Sequence, residues 1–224
     1  MKNEIQTKFV KIINYRGIEC PQEKALNDCY KRFNSYYDWI AFYDVDEFLY
    51  IINYTNINTY LSLNMFKNCQ CIIINWKYYG DNNNLYYKNN SLNERFSIPF
   101  YFNEKNLNKS LEYYFSAGKS IVRGGLNLIW EHLPHYFNNT KNCRPNGKIL
   151  REYLSPPQYS DAYIKHYITK STEEFIGRLK RGDVLLKSDE NYIKKRIENY
   201  YFLFNKKTNE KWNLFKKAFN FIDY

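Results

Sequence analysis

Apolar residues along the chain fall into two rhythms. Short, nearly continuous apolar runs mark strands buried on both faces, and apolar residues three or four apart mark helices. The runs are Lys8 to Asn14 (KFVKIIN), Asp38 to Tyr43 (DWIAFY), Cys71 to Trp76 (CIIINW), Lys119 to Arg123 (KSIVR), Leu128 to Phe137 and Ala162 to Ile168 (AYIKHYI). Helical spacing links Ala25, Leu26, Cys29, Tyr30 and Phe33 between Gln22 and Phe33, with Pro21 suited to the first turn. Further helices are expected at Asn56 to Phe66, Ser171 to Arg181, Glu190 to Phe204 and Asn209 to Phe221. Ser171 and Glu174 have the spacing of a capping box, and Gly182 stands where that helix would stop. Residues 80–93, rich in Asn, and 138–158, with three prolines and a glycine, read as loops.

Strand, helix and strand open the chain, and the second strand runs into Asp44-Val45-Asp46-Glu47. Ligands of α/β sheets bind beyond the carboxyl ends of the strands. In extended geometry Asp44 and Asp46 point to the same side and can face one cation. Their hard oxygen ligands suit Mg²⁺ or Mn²⁺, ions that share their coordination shell with substrate phosphates. The plain alternative is a turn of solvated acids, since a D-x-D pair arises often by chance. His166 and Lys170 stand at a later strand-to-helix junction, where the N-terminus of the Ser171 helix offers unpaired N–H groups. With a cation on the acids, these groups form a candidate diphosphate site.

Composition narrows the field. Of 224 residues 44% are hydrophobic, enough for a packed core and too many for wholesale disorder. The net charge of +10 suggests an anionic partner, although the crowding of Asn, Lys, Ile, Tyr and Phe also fits AT-rich coding. No apolar run approaches the ~20 residues of a membrane span, and the N-terminus carries no secretory apolar segment. The five cysteines, odd in number and scattered, suit reduced thiols in a cytoplasmic protein, with Cys69 and Cys71 in the core. There is no glycine-rich phosphate loop and no internal repeat. In the tail, Trp212, Phe215, Phe219 and Ile222 recur at helical spacing among Lys206, Lys207, Lys211, Lys216 and Lys217. That helix either packs its apolar stripe on the core or lies peripherally on an anionic membrane. Nucleic-acid binding has no recognition motif to support it.

Four ordered blocks resemble glycosyltransferase family 92 and its family-2-type relatives. The segment QEKALNDCYKRFNSYYDWIAFYDVDEFLY, Gln22 to Tyr50, is similar to the family's Q-x-x-A-x-N-D-C helix followed by D-W-I-x-F-x-D-x-D-E-F. Ile74 to Gly80, Lys119 to Arg123 with His132-Leu133-Pro134, and His166 to Phe175 with Arg181-Gly182 follow in the family's order. The resemblance implies an α/β protein of GT-A type: a Rossmann-like, mostly parallel central sheet over residues 1–185, with a helical C-terminal extension over 186–224. It implies transfer of a sugar from a nucleotide-sugar donor, such as a UDP-sugar, to a hydroxyl of a glycan acceptor, with inversion. Asp44 and Asp46 would form the DXD motif holding Mn²⁺ or Mg²⁺, with His166 near the metal and Lys170 on the diphosphate. Gln22 and Asn27 would approach the donor, and Glu47 would support the Asp pair. Glu131 and Asp81 are the candidate general bases, although Asp81 departs from the small residue usual at its place in the family. Family members also carry a strand-helix-strand before the first helix, and here about twenty residues precede Gln22. The expectation is therefore a truncated chain or an altered donor pocket. The rival readings are a non-catalytic remnant of such an enzyme and a basic module for membrane or nucleic acid.

Overall fold

The computed structural model describes residues 5–6, 10–18, 21–101, 114–128, 135–137, 140–152, 155–182 and 190–221. Two-residue strands β1 (Ile5–Gln6) and β2 (Lys11–Ile12) pair antiparallel ahead of helix α1 (Pro21–Phe33). The main sheet contains β3 (Trp39–Ala41), β4 (Glu47–Ile51), β5 (Cys71–Tyr78), β6 (Gly118–Arg123), β7 (Asn142–Cys143) and β8 (Ala162–His166). Its strand order is β3-β6-β5-β8-β4, with β7 also on β5.

The expected strand at Asp38 to Tyr43 is therefore present as β3, and the buried run at Cys71 extends two residues further as β5. The sheet is mixed, and mostly antiparallel rather than mostly parallel. β3 with β6, β5 with β6 and β4 with β8 are antiparallel, and only β5 with β7 and β5 with β8 are parallel. An apolar run reports burial on both faces and says nothing of a neighbour's direction. β4, unanticipated in the pattern, begins at Glu47 and runs back along β8.

Helix α2 (Ile57–Leu61) is capped by Asn56 and followed by a single 3₁₀ turn, Asn64–Phe66, so the one expected helix forms as two pieces. Helix α3 (Leu92–Arg95) interrupts the Asn-rich loop. The capping box on Ser171 and Glu174 opens α4 (Thr172–Arg181), and Gly182 ends it at φ 82°. Helix α5 (Glu190–Arg196) continues through a π turn, Ile197–Tyr201, to Phe204, and α6 (Asn209–Phe219) closes the described chain.

Even-numbered residues of β5 define one core face. Ile72 and Ile74 pack with Ile121, Ala162, Ile164, Leu49 and Ile51. On the opposite side of the sheet Cys71, Ile73 and Val122 pack against Tyr30 and Leu26 of α1. The C-terminal helices build a third cluster, in which Phe215 is fully buried with Tyr78, Phe115, Phe175 and Tyr201. Trp212 and Phe219 pack against it, so three residues of the apolar stripe of α6 face protein. Ile222 lies outside the described residues. Cys69 and Cys143 form a disulfide, against the expectation of reduced thiols, while Cys29 and buried Cys71 are free. Among the described residues no helix is long and apolar enough to cross a membrane.

Candidate active site

The candidate site stands where the apolar rows of the sheet give out. Alternation puts Lys119 on the face of Ile121 in β6, Glu47 on that of Leu49 and Ile51 in β4, and His166 on that of Ile164 in β8. Glu47 lies opposite His166 across the β4–β8 pair, and Tyr78 lies opposite His166 on the other side. A charged residue in a core row must find partners, and here the rows meet.

Asp44 to Glu47 form a turn rather than an extended strand end. The Glu47 amide donates to the Asp44 carbonyl at 3.0 Å, and the Asp44 amide donates to Glu47 Oε2 at 3.3 Å. Val45 is left at the tip, 95% exposed. The turn gives its two aspartates different neighbours. Asp44 Oδ2 accepts from Lys119 Nζ at 2.9 Å, whereas Asp46 lies 3.8 Å from Lys170 Nζ and 4.0 Å from His166 Nε2. Glu47 Oε1 is 3.7 Å from Lys119 Nζ and 4.0 Å from His166 Nε2.

His166 packs on the rings of Trp76 and Tyr78, with centroids at 4.8 and 5.5 Å. Burial, then the nearby charges of Lys119, Arg178 and Lys170, hold the imidazole down to about 3, so it is neutral at ordinary pH. Burial pushes Glu47 up to about 8, against the pull of Lys119. His135, whose Nδ1 stands 2.7 Å from the Gly118 carbonyl, is lowered chiefly by burial. Gly118 itself is required, since a Cβ there would fall 2.1 Å from the Ile74 carbonyl of the adjoining strand. Lys170 sits in the left-handed region at φ 57°, an uncommon conformation for a residue with a side chain.

The other expected residues divide. Gln22 lines a pocket of about 160 Å³ together with Asp44, Lys119, Leu26 and Tyr43. Asn27 lies further along α1, its side-chain amide donating to the Glu23 carbonyl at 3.2 Å. Asp81 is brought elsewhere: it is 2% exposed, 2.7 Å from Lys211 Nζ, and accepts from the Tyr201 hydroxyl at 2.5 Å and the Asn83 amide at 2.9 Å. Glu131 and His132 lie outside the described residues. The N-terminus of α4 does not offer free donors. Thr172 and Glu173 amides donate to the Asn84 and Leu85 carbonyls at 3.2 and 2.9 Å, and the Glu174 amide donates to Ser171 Oγ. The loop before α3 has taken the place expected for an anion.

Sequence reasoning assigned no role to Lys119, Trp76 or His135. The available signal was the lysine's alternation with Ile121, which puts an ammonium group on a core face.

Among the described residues no group of three or more His, Cys, Asp or Glu stands ready to hold a metal ion. The donor set still fits an open site. Mg²⁺ is commonly held by one or two carboxylates plus substrate phosphates, and carboxylates suit Mn²⁺ as well, whereas imidazole is the better ligand for zinc, copper, iron and nickel. Glu47 Oε1 and His166 Nδ1 are buried here without hydrogen-bond partners, so the polar groups of the site are not yet all satisfied.

Acids, a neutral imidazole and two ammonium groups at the polar end of a mixed sheet thus define a charged site on an α/β protein. A family model described as glycosyltransferase family 92 matches residues 5–217. The chain belongs to that family, and its general activity is glycosyl transfer. Neither curated proteins nor solved structures gave a match.

Proposed function

We propose that the chain moves a sugar from a nucleoside-diphosphate donor, a UDP-sugar, to a glycan hydroxyl with the help of Mn²⁺ or Mg²⁺, on a fold of GT-A type. The observation that carries this reading is the turn at Asp44–Glu47, set beyond the carboxyl end of β3 with His166 and Lys170 against Asp46. Asp46, Asp44 and the neutral His166 would hold the cation. When bound, such an ion neutralises charge on the departing diphosphate as a Lewis acid. Lys170 would bind a phosphate oxygen as a point charge, fixed by the left-handed backbone that turns it toward Asp46. Gln22, on the pocket wall beside Asp44, would position the donor. The Trp76 and Tyr78 rings packed on His166 keep that imidazole dry and oriented.

An inverting transfer requires a base for the acceptor hydroxyl. Asp81 is already paired with Lys211 and bonded by Tyr201, which leaves Glu131 as the candidate. Isothermal titration with UDP, with and without Mn²⁺, tests the reading. Binding that requires the metal and is lost in Asp46→Ala supports it. Binding of UDP that ignores both Mn²⁺ and Asp46→Ala would refute it.

A further inference from the structure

The two faces of the sheet are unlike. The face of Leu49, Ile164 and Trp76 closes over a core and carries the candidate site. Alternation sends Phe48 and Tyr50 of β4, Tyr163 and Lys165 of β8 and Lys77 of β5 to the other face. The register sets them side by side: Phe48 opposite Lys165, Tyr50 opposite Tyr163, and Lys77 beside Lys165 across the parallel pair. Helix α1 covers this face further along β5, at Cys71 and Ile73, and Phe48 and Tyr50 remain 47% and 43% exposed. Tyr50 packs on Tyr163 with ring centroids at 5.1 Å. Lys165 Nζ stands 5.0 Å from the Tyr50 ring, and Lys77 Nζ 4.8 Å from the Tyr163 ring. Among the described residues neither ammonium group forms an ion pair: Lys165 donates only to the Asn93 side-chain oxygen, at 3.2 Å, and Lys77 donates no hydrogen bond. Strands β4, β5 and β8 put no acid on this face.

We infer that this face binds an acidic glycan, a sugar chain bearing carboxylate or sulfate groups. The inference goes beyond the donor reading and needs neither the nucleotide nor the metal. The faces of aromatic rings are electron-rich and attract the C–H groups on the apolar side of a pyranose. Two ammonium groups without carboxylates supply the complementary charge. Register partners on adjacent strands lie about 4.8 Å apart, so Lys77 and Lys165 converge on one acidic group between the rings. A nucleic acid calls for cations in a row that follows its backbone, whereas these two stand at one position on neighbouring strands. A lipid surface takes the apolar face of a helix lying in its plane, whereas these rings lie along strands and carry hydroxyl groups. β4 is an edge of the sheet, so a chain on this face rounds a single strand to reach the turn at Asp44–Glu47. In a family whose activity is glycosyl transfer, that position suits an acidic acceptor chain.

Isothermal titration of the full chain at physiological ionic strength tests the inference. The probes are a galacturonate oligosaccharide, a sulfated heparin oligosaccharide and a neutral galactose oligosaccharide of equal length. At least one acidic chain should bind roughly tenfold more tightly than the neutral one, the worth of one charge-assisted hydrogen bond. Lys77→Gln with Lys165→Gln should remove that advantage. Lys24→Gln with Lys31→Gln, which takes the same charge from exposed positions of α1, should keep it. The inference is overturned if neither acidic chain is preferred, or if the preference survives the Lys77 and Lys165 changes. It is overturned equally if the α1 pair abolishes the preference as fully, the mark of general attraction to a basic protein. Tighter binding of a thymidine oligonucleotide or of phosphatidylserine vesicles than of either acidic chain also overturns it. Where a thermal melt shows the Lys77 and Lys165 variant unfolded, Tyr50→Ser carries the test: roughly tenfold weaker binding of the acidic chain supports the surface, and unchanged binding overturns it. UDP and Mn²⁺ are absent from the titration, so failure of the donor reading leaves its outcome standing.

Discussion

Lys211→Met puts the docking of the C-terminal helices to a quantitative test. Asp81 and Lys211 are 2% and 1% exposed, and their charges stand 2.7 Å apart. The lysine also donates to the Lys206 carbonyl at 3.0 Å. Around the pair, Tyr201 binds Asp81 and meets Thr172 at 2.8 Å, and Asn205 donates to Thr169 at 3.0 Å. The network ties the loop after β5 to α4, the π turn and α6. Methionine keeps an unbranched chain of similar length and removes the ammonium group, leaving Asp81 with the Tyr201 and Asn83 donors. Removing one partner of a buried pair costs about 3–5 kcal/mol, and the two remaining hydrogen bonds favour the lower end, about 3 kcal/mol. For a chain of this size each kcal/mol moves Tm by about 2–4 °C, so the expected fall is about 6–12 °C. Thermal melts followed by circular dichroism read it directly. Asp81→Asn combined with Lys211→Met, which leaves no unpaired charge, should fall less than the sum of the single variants. A single variant melting within about 2 °C of wild type, or full additivity in the double, would refute the argument that this pair anchors the helices.

Other outcomes follow from the same structure. His166, with a folded value near 3, gains a proton on unfolding wherever pH lies between that value and its ordinary 6.5, so its contribution to stability is lost as pH falls through that window. Glu47, raised to about 8, acts in the opposite sense above its ordinary value of 4.5, so the urea midpoint of wild type is compared with that of His166→Gln at each pH. Equal slopes in the two proteins would count against a buried neutral His166. The Cys69–Cys143 disulfide closes a separation of 74 residues, worth about 4 kcal/mol by loop entropy. Reduction should lower the urea midpoint, and an unchanged midpoint would contradict that value. Gly118→Ala, with its new Cβ 2.1 Å from the Ile74 carbonyl, should cost about 1–3 kcal/mol as an overpacked site. An unaltered melt would show that β5 and β6 can separate without penalty.

Much of the fold is legible because its elements are local. The spacing of Leu26, Cys29, Tyr30 and Phe33 yields α1, and Ser171 with Glu174 forms both bonds of its capping box. What stayed hidden is long-range. Strand direction depends on which neighbour a run meets, so β5 and β6 were readable as strands and their antiparallel pairing was not. β4 carries alternation over only five residues and opens on an acid. Cysteine spacing holds no information on which thiols meet across 74 residues. At the site, the acidic motif and His166 were visible as chemistry. Their division by the turn, with Lys119 on Asp44 and Lys170 near Asp46, required the register of three strands to be known. The loss of the α4 N-terminus to the Asn84 and Leu85 carbonyls is likewise a contact between distant segments.

The proposed role of the turn at Asp44–Glu47 is to hold a divalent cation against a nucleoside diphosphate. An anomalous difference map at the manganese edge, from crystals grown with Mn²⁺ and UDP, tests it most directly. One strong peak is expected in contact with Asp46 and with a phosphate oxygen of UDP, and no such peak in Asp46→Ala crystals. UDP bound with no manganese beside Asp46, or manganese bound at a different place, would contradict it.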